Sequence, residues 1–419
     1  MGSTVDVVVV GAGAAGLAAG RRLQQAGISF KVIEARQRVG GRAFTDQTSF
    51  EGLPFDHGCH WLHTASINPL RQEADRLGIA YHRQDSWGGR AMFVDGRRLG
   101  PDEIAHSQSD FDAVLERIHA AGQAGRDEAA SVTAGFVPPY GPVIRHIFTL
   151  ISSGEPEEVS TLDMARYRDT HEDWPVIDGL GRLIATIGAS VPVSLATPAR
   201  AIDWSGSGVR IETDRGAIEA RAAVVTASTN VLSAGAIRFT PALPVAMAEA
   251  LAAVPIGCAE KVAFLLDRPL GELGSGNFLA VLDTGSGVAQ NFYVNQFGRP
   301  LVVAHLGGRD GAALTKAGPA AMIAHARERL VAALGADVER RIVKAIATGW
   351  LTDPFIRGGY SYALPGKADL RPRLAEAVGG RIFLAGEAVS PDFYSTAHGA
   401  HLTGIRAAEA AMAAIGRDA

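Results

Sequence analysis

The sequence predicts an α/β fold in which a parallel-sheet domain is interleaved along the chain with a second domain of mixed sheet and helices. Three observations carry that reading. The chain opens with strand, glycine turn, helix and strand, the order of a parallel βαβ unit. Strand patterns at 191–227 and a strand–loop–helix block at 380–419 read as returning to that first sheet. With 419 residues, the chain also exceeds what one compact core accommodates. The first domain is therefore expected in three segments, 1–78, 178–254 and 356–419, and the second in two, 79–177 and 255–355.

Each element has a local cause. Val5 and Val7 to Val10 form a β-branched run suited to a parallel strand buried on both faces. Residues 15–26 are rich in Ala and Leu, a small-residue helix that can lie close to a sheet, and Gly27 stops it. Phe30 to Ile33 gives the next strand. A helix over 68–77 follows from Asn68 as cap, Pro69 at the first helical position, and Leu70, Ala74 and Leu77 on one face. Residues 79–177 are charge-mixed and helical in pattern, broken by loops such as Pro138-Pro139-Tyr140-Gly141. In 191–227, Val209 and Ile211 alternate with Arg210 and Glu212, and Ala222 to Val225 make a buried run. Strands at Val262 to Leu266 and Leu301 to Ala304 and a helix over 320–334 complete the second domain.

The first turn carries chemistry. Gly11-Ala12-Gly13-Ala14-Ala15-Gly16 ends a strand and opens a helix. Glycine serves there for a tight turn, for backbone approach to a pyrophosphate and for close helix–strand contact. The helix N-terminus presents unpaired N–H groups to the anion. Glu34 ends the second strand, 23 residues after Gly11, where a carboxylate accepts hydrogen bonds from ribose hydroxyls and repels a 2′-phosphate. Together these define a Rossmann-like dinucleotide site. Val39-Gly40-Gly41-Arg42 then adds a second glycine bend and a fixed cation that reaches a pyrophosphate. A nicotinamide site has no need of that arginine, so the expected dinucleotide is FAD. No second glycine fingerprint exists, since Gly179-Leu180-Gly181-Arg182 and Gly274-Ser275-Gly276-Asn277 both fail, so a built-in nicotinamide site is not expected.

Glu34-Ala35-Arg36, continuing through Gly40-Gly41-Arg42, resembles the signature that opens the flavin-containing amine oxidases. The resemblance continues in order along most of the chain. It takes in Asp56-His57-Gly58-Cys59-His60-Trp61-Leu62-His63 with Asn68-Pro69-Leu70, then Phe239 to Pro244, then Val254 to Lys261. Trp350 and Gly358-Gly359-Tyr360-Ser361 follow, then Phe383 to Glu387, Tyr394 to Ala400, and Gly404 to Ala408. This last stretch is most similar to polyamine and spermine oxidases. Residues 79–177 anchor little of it.

The resemblance implies roles. Gly11, Gly13, Ala14, Ala15, Gly16, Glu34, Ala35, Arg36, Gly41 and Arg42 would hold the adenosine and pyrophosphate half of FAD. Gly58, Cys59, His60, Trp61, Ala199, Ala227, Trp350, Gly386, Glu387, Thr396 and Ala397 would contact the remainder. Glu387 would bond a ribityl hydroxyl, and the Ala397 N–H, near a helix N-terminus, would face flavin O2, where reduction builds negative charge. Lys261 would hydrogen-bond through water to flavin N5. Tyr360 would form one wall of a substrate cage, with Thr396 where relatives carry a second aromatic, and His63 would stand near the ring. His398 is a weaker candidate of the same type. Three departures matter. The cysteine that anchors flavin covalently in monoamine oxidases is Gly359, so the FAD is expected to be non-covalent. Thr396 weakens the case for a simple aryl amine, and Ser228 replaces a proline usual in the family.

The implied activity is amine oxidation on a secondary amine or polyamine-like substrate, with hydride transfer to flavin N5, an imine product and O2 reduced to H2O2. Two rivals are a flavin hydrocarbon dehydrogenase of the carotenoid-desaturase or protoporphyrinogen-oxidase type and a flavin-bound interaction protein without turnover. Bulk properties narrow the partners. A formal charge of −4 argues against nucleic acid or an anionic membrane. No apolar run spans a bilayer, and no signal segment precedes the first strand. Two cysteines, Cys59 and Cys258, offer neither a disulfide framework nor a metal cluster, which points to a reducing cytoplasm. A small-molecule amine and O2 are the expected partners, and pairing as a homodimer is compatible with this reading.

Overall fold

The computed structural model describes residues 3–83, 89–273 and 276–416, and the fold is α/β. Residues 1, 2, 84–88, 274, 275 and 417–419, parts of the expected segments and of the Gly274-Ser275-Gly276-Asn277 stretch, lie outside the described residues. The N-terminal strand Ser3–Val10 sits inside an eight-stranded sheet, paired in parallel with Gly216–Val225 on one side and Phe30–Ile33 on the other. The C-terminal half of Gly216–Val225 also pairs in parallel with Ile382–Leu384, so the sheet joins strands from both ends of the chain. Both faces are covered, as the unbroken valine run requires. Val7 and Val9 pack with Leu17, Leu23, Leu180 and Met412, while Val8 and Val10 pack with Ile202, Ile211, Leu251 and Leu374.

The helices that cover the first face are Ala14–Gln25, Leu180–Ile187 and Ala397–Ala414. Gly16 explains how closely Ala14–Gln25 lies to the turn before it: a Cβ there would run into the Gly11 carbonyl oxygen. The helix Pro69–Leu77 forms on the local signals: Asn68 Oδ1 accepts from Leu70 N at 2.9 Å, and Gly78 leaves it at φ +66°.

A second, seven-stranded sheet runs Ile342–Ala347, Ala259–Leu266, Leu301–Gly307, Val288–Val294, Asn277–Asp283, Arg90–Val94, Arg97–Arg98. It is mostly antiparallel, and the helix Pro319–Leu334 packs on it through Met322, Ala326 and Leu330. The 79–177 stretch is helical as its pattern predicts, with Pro101–Gln123, Gly141–Ser152 and Thr161–Arg166, but it also contributes Arg90–Val94 to this sheet. That strand's pairing partner, Asn277–Asp283, lies far along the chain, so no local pattern announces it. Among the described residues, no helix is long and apolar enough to cross a membrane.

Candidate active site

One cavity of ≈1530 Å³ runs between the two sheets. That exceeds a drug-sized pocket and leaves room for a dinucleotide with a substrate beside it. At one end lie the first turn and the end of the second strand. Gly11 turns at φ +102°, and a Cβ there would clash with Thr226 Oγ1. The helix Ala14–Gln25 begins with no side chain capping its N-terminus, so its first N–H groups are left for an anion. The Glu34 carboxylate is buried and fixed by the N–H groups of Ala12 at 2.7 Å and Arg36 at 2.9 Å. Beside it, Arg36 pairs with Asp353 and lies 5.5 Å from the Trp350 ring centre. Burial lowers the Arg36 pKa, with Glu34 opposing.

Midway, Arg42 Nη1 donates to Glu387 Oε1 at 2.9 Å and to the Gly359 carbonyl. Burial pushes the Glu387 carboxyl up. Arg42, the Ser361 hydroxyl, the Ser395 N–H and Arg371 outweigh burial and hold it below the usual carboxylate range. Oε1 keeps a lone pair beyond its bond to Arg42 for a cofactor hydroxyl. Ala397 is the first residue of an 18-residue helix whose N-terminus borders the cavity.

Lys261 reaches the cavity from the second sheet, and its position is set by backbone. Nζ donates to the carbonyl oxygens of Asp56 at 2.9 Å and Gly58 at 2.7 Å. Those carbonyls are steady because the buried Asp56 carboxylate is itself tied down. It accepts from the N–H groups of Leu180 and Gly181 at a helix N-terminus and from Thr45, and it bonds His60 Nδ1 at 3.1 Å. Burial lowers the Lys261 pKa, partly opposed by Asp56. Burial likewise lowers His60 against Asp56, and pushes the Cys59 thiol up to about 12.

Tyr360 and Thr396 both line the cavity. The Tyr360 hydroxyl donates to the Leu150 carbonyl. The Thr396 hydroxyl is spent on the last helix, accepting from Gly399 N at 2.9 Å and donating to Phe393 O at 2.7 Å, so Thr396 offers the cavity space rather than a polar group. His63 lines the cavity with Nδ1 at 2.5 Å from Asp173 Oδ1.

The weaker candidate His398 aside, all but one of the sequence-predicted site residues border this cavity: Gly11, Gly13, Ala14, Ala15, Glu34, Ala35, Arg36, Gly41, Arg42, Gly58, Cys59, His60, Trp61, Ala199, Ala227, Trp350, Gly386, Glu387, Ala397, Lys261, Tyr360, His63 and Thr396. The exception is Gly16, which lies behind the turn as a packing residue. His398 is not brought in either. It is buried against Thr64 and Asn68, and burial holds it down to about 3. Sequence reasoning missed His305, Asn291 and the carboxylates Asp112, Glu116 and Asp169, all of which line the cavity. The helix Pro101–Gln123 turns Gln108, Asp112, Leu115, Glu116 and His119 inward along one face, a spacing of three and four that was legible without knowing what the face addressed. Among the described residues, no group of three or more metal-ligating side chains could hold an ion.

The glycine turn, the buried Glu34 carboxylate and the helix N-termini have the form of a dinucleotide-binding site. The family model described as "Flavin containing amine oxidoreductase" matches residues 14–412, and the chain belongs to that family. Its cofactor is FAD, and the residues just described fit that group. The chain is similar to Polyamine oxidase 2 of Arabidopsis thaliana, 28% identical, with 96% of this chain and 87% of that protein covered. It is also similar to Lysine-specific histone demethylase 1 homolog 1 of Oryza sativa subsp. japonica, 28% identical over 96% of this chain. There it spans about half, 52%, of the relative's length. Among solved structures, wild-type putrescine oxidase bound to putrescine superposes with a TM-score of 0.80 at 22% identity, over 99% of this chain and 100% of that one, a likeness of fold.

Proposed function

We propose that the chain oxidises a secondary amine or polyamine-like compound, yielding an imine that hydrolyses to a carbonyl product, with O2 reduced to H2O2. The observation that carries this reading is the continuity of the cavity. It runs from Glu34 past Lys261 to an arm bearing Asp112, Glu116, Asp169 and Asp173, with Arg90 also in the lining. A multiply charged amine is attracted by such carboxylates, whereas an uncharged hydrocarbon gains nothing from them. Asn291 supports the same reading: it is buried, and its Oδ1 has no hydrogen-bond partner, leaving an acceptor for a substrate N–H.

Bound FAD supplies the acceptor for the hydride and passes the electrons to O2. The chain's own residues do the rest. Lys261, with two N–H groups spent on carbonyls, keeps one position to hold a water beside the reacting carbon. Tyr360 gives an apolar wall for the amine substituents, and cation–π attraction if the amine is charged. Space at Thr396 admits substituents on both sides of the nitrogen. His63, oriented by Asp173, can hydrogen-bond the substrate nitrogen. Anaerobic mixing of the holoenzyme with spermidine is the test. Bleaching of the oxidised flavin absorption supports the reading, and an unchanged spectrum with every amine tried rejects it.

A further inference from the structure

Behind the Glu387 carboxylate lies a buried polar relay that the reaction as proposed does not use. Arg371 and Asp163 are each 1% exposed and pair twice, Nε to Oδ1 at 2.8 Å and Nη2 to Oδ2 at 2.6 Å. The remaining nitrogen, Nη1, donates to Ser361 Oγ at 2.9 Å and to the Ala388 carbonyl at 3.0 Å. Ser361 Oγ lies 2.7 Å from Glu387 Oε2. A guanidinium only donates and an ionised carboxylate only accepts, so the single hydroxyl proton of Ser361 has one direction available. It points at Glu387, while the hydroxyl lone pairs take Arg371. Polarity therefore runs one way, from Arg371 through Ser361 to Glu387. Asp163 sits in the first turn of Thr161–Arg166 and lines the cavity together with Met164 and with Tyr167, which caps that helix. Arg371 also stacks 4.0 Å from the ring centre of Tyr394, another lining residue.

We propose that Arg371 is a positioning residue for the cofactor. It fixes the Ser361 hydroxyl and the Ala388 backbone so that Glu387 presents its free lone pair to the FAD, and it ties that carboxylate to the Asp163 helix on the substrate side. Arg371 touches neither cofactor nor substrate and acts through Ser361. The inference rests on Glu387 facing FAD and is independent of which amine is oxidised. A buried ion pair is weak evidence for stability in itself, since hydrophobic replacements of such pairs often cost nothing. The one-way relay is what assigns a role.

The test is a double-mutant cycle on the rate at which intact holoenzyme releases FAD, followed by the rise of free-flavin fluorescence well below the unfolding temperature. R371M is expected to release FAD about tenfold faster than wild type, and S361A about threefold faster. The double variant is expected to match R371M, because both changes cut one path. Release from R371M within twofold of wild type overturns the proposal. So does a double variant about thirtyfold faster, the product of two independent effects. Should R371M not fold, S361A decides alone, since it leaves the Arg371–Asp163 pair in place: an unchanged release rate overturns the proposal.

Discussion

Lys261 stands directly opposite His305 on the neighbouring antiparallel strand, and both side chains enter the same cavity. Burial holds the His305 imidazole down to about 3, with the Lys261 charge adding to the effect. The histidine is therefore neutral across the physiological range and places no charge beside Lys261. Replacing Lys261 by Met should keep FAD bound but slow turnover by roughly 10²-fold, the scale of a lost proton-handling group. The slowed step should be oxidation of reduced enzyme by O2. Stopped-flow traces with unchanged reoxidation would make Lys261 structural.

The flavin should come away from the polypeptide. Gly359 offers no thiol, and burial pushes Cys59 and Cys258 up to about 12, so neither supplies a thiolate near neutrality. Acid precipitation should leave a yellow supernatant and a colourless pellet. Colour retained by the pellet after washing would show a covalent link.

The glycine fingerprint, Glu34 and the Gly40–Arg42 bend were legible in the sequence because each acts through its own few residues of backbone, whereas the Gly386–Ala397 block was legible through its resemblance to the flavin-containing amine oxidases. Their convergence on one cavity needed no long-range information beyond the order of the motifs. The 79–177 stretch was legible only in part. Its helices follow from periodicity, but Arg90–Val94 joins a sheet through a partner near 280, and register of that kind is set by tertiary packing. His305 and Asn291 were missed for the same reason, as they reach the site only through the ladder that aligns them across from Lys261. Gly16 was assigned to the cofactor, yet its contact is with the backbone behind the turn.

His63 and Asp173 give a signature in pH. Burial pulls the His63 imidazole down, but the Asp173 charge and hydrogen bond outweigh it and raise its pKa. A folded-state value above the unfolded one stabilises the chain fully below the unfolded pKa, and that contribution is lost as pH rises through the folded value. D173N should therefore lower Tm more at pH 6 than at pH 9, by a difference on the order of 1–3 °C. An equal loss at both pH values, or a larger one at pH 9, would mean that the pair is not ionic.

The central claim, amine oxidation on an extended or secondary amine, is tested most directly by kcat/KM over an amine panel, read as H2O2 formed by the purified holoenzyme. The panel is spermidine, N-alkylated diamines, cyclic secondary amines, benzylamine and phenylethylamine. The carboxylates of the cavity arm and the space at Thr396 predict that a polyamine or secondary amine exceeds both aryl primary amines by about tenfold or more, or ~1.4 kcal/mol in transition-state binding. Aryl primary amines ahead by the same factor, or no peroxide from any member of the panel, would contradict it.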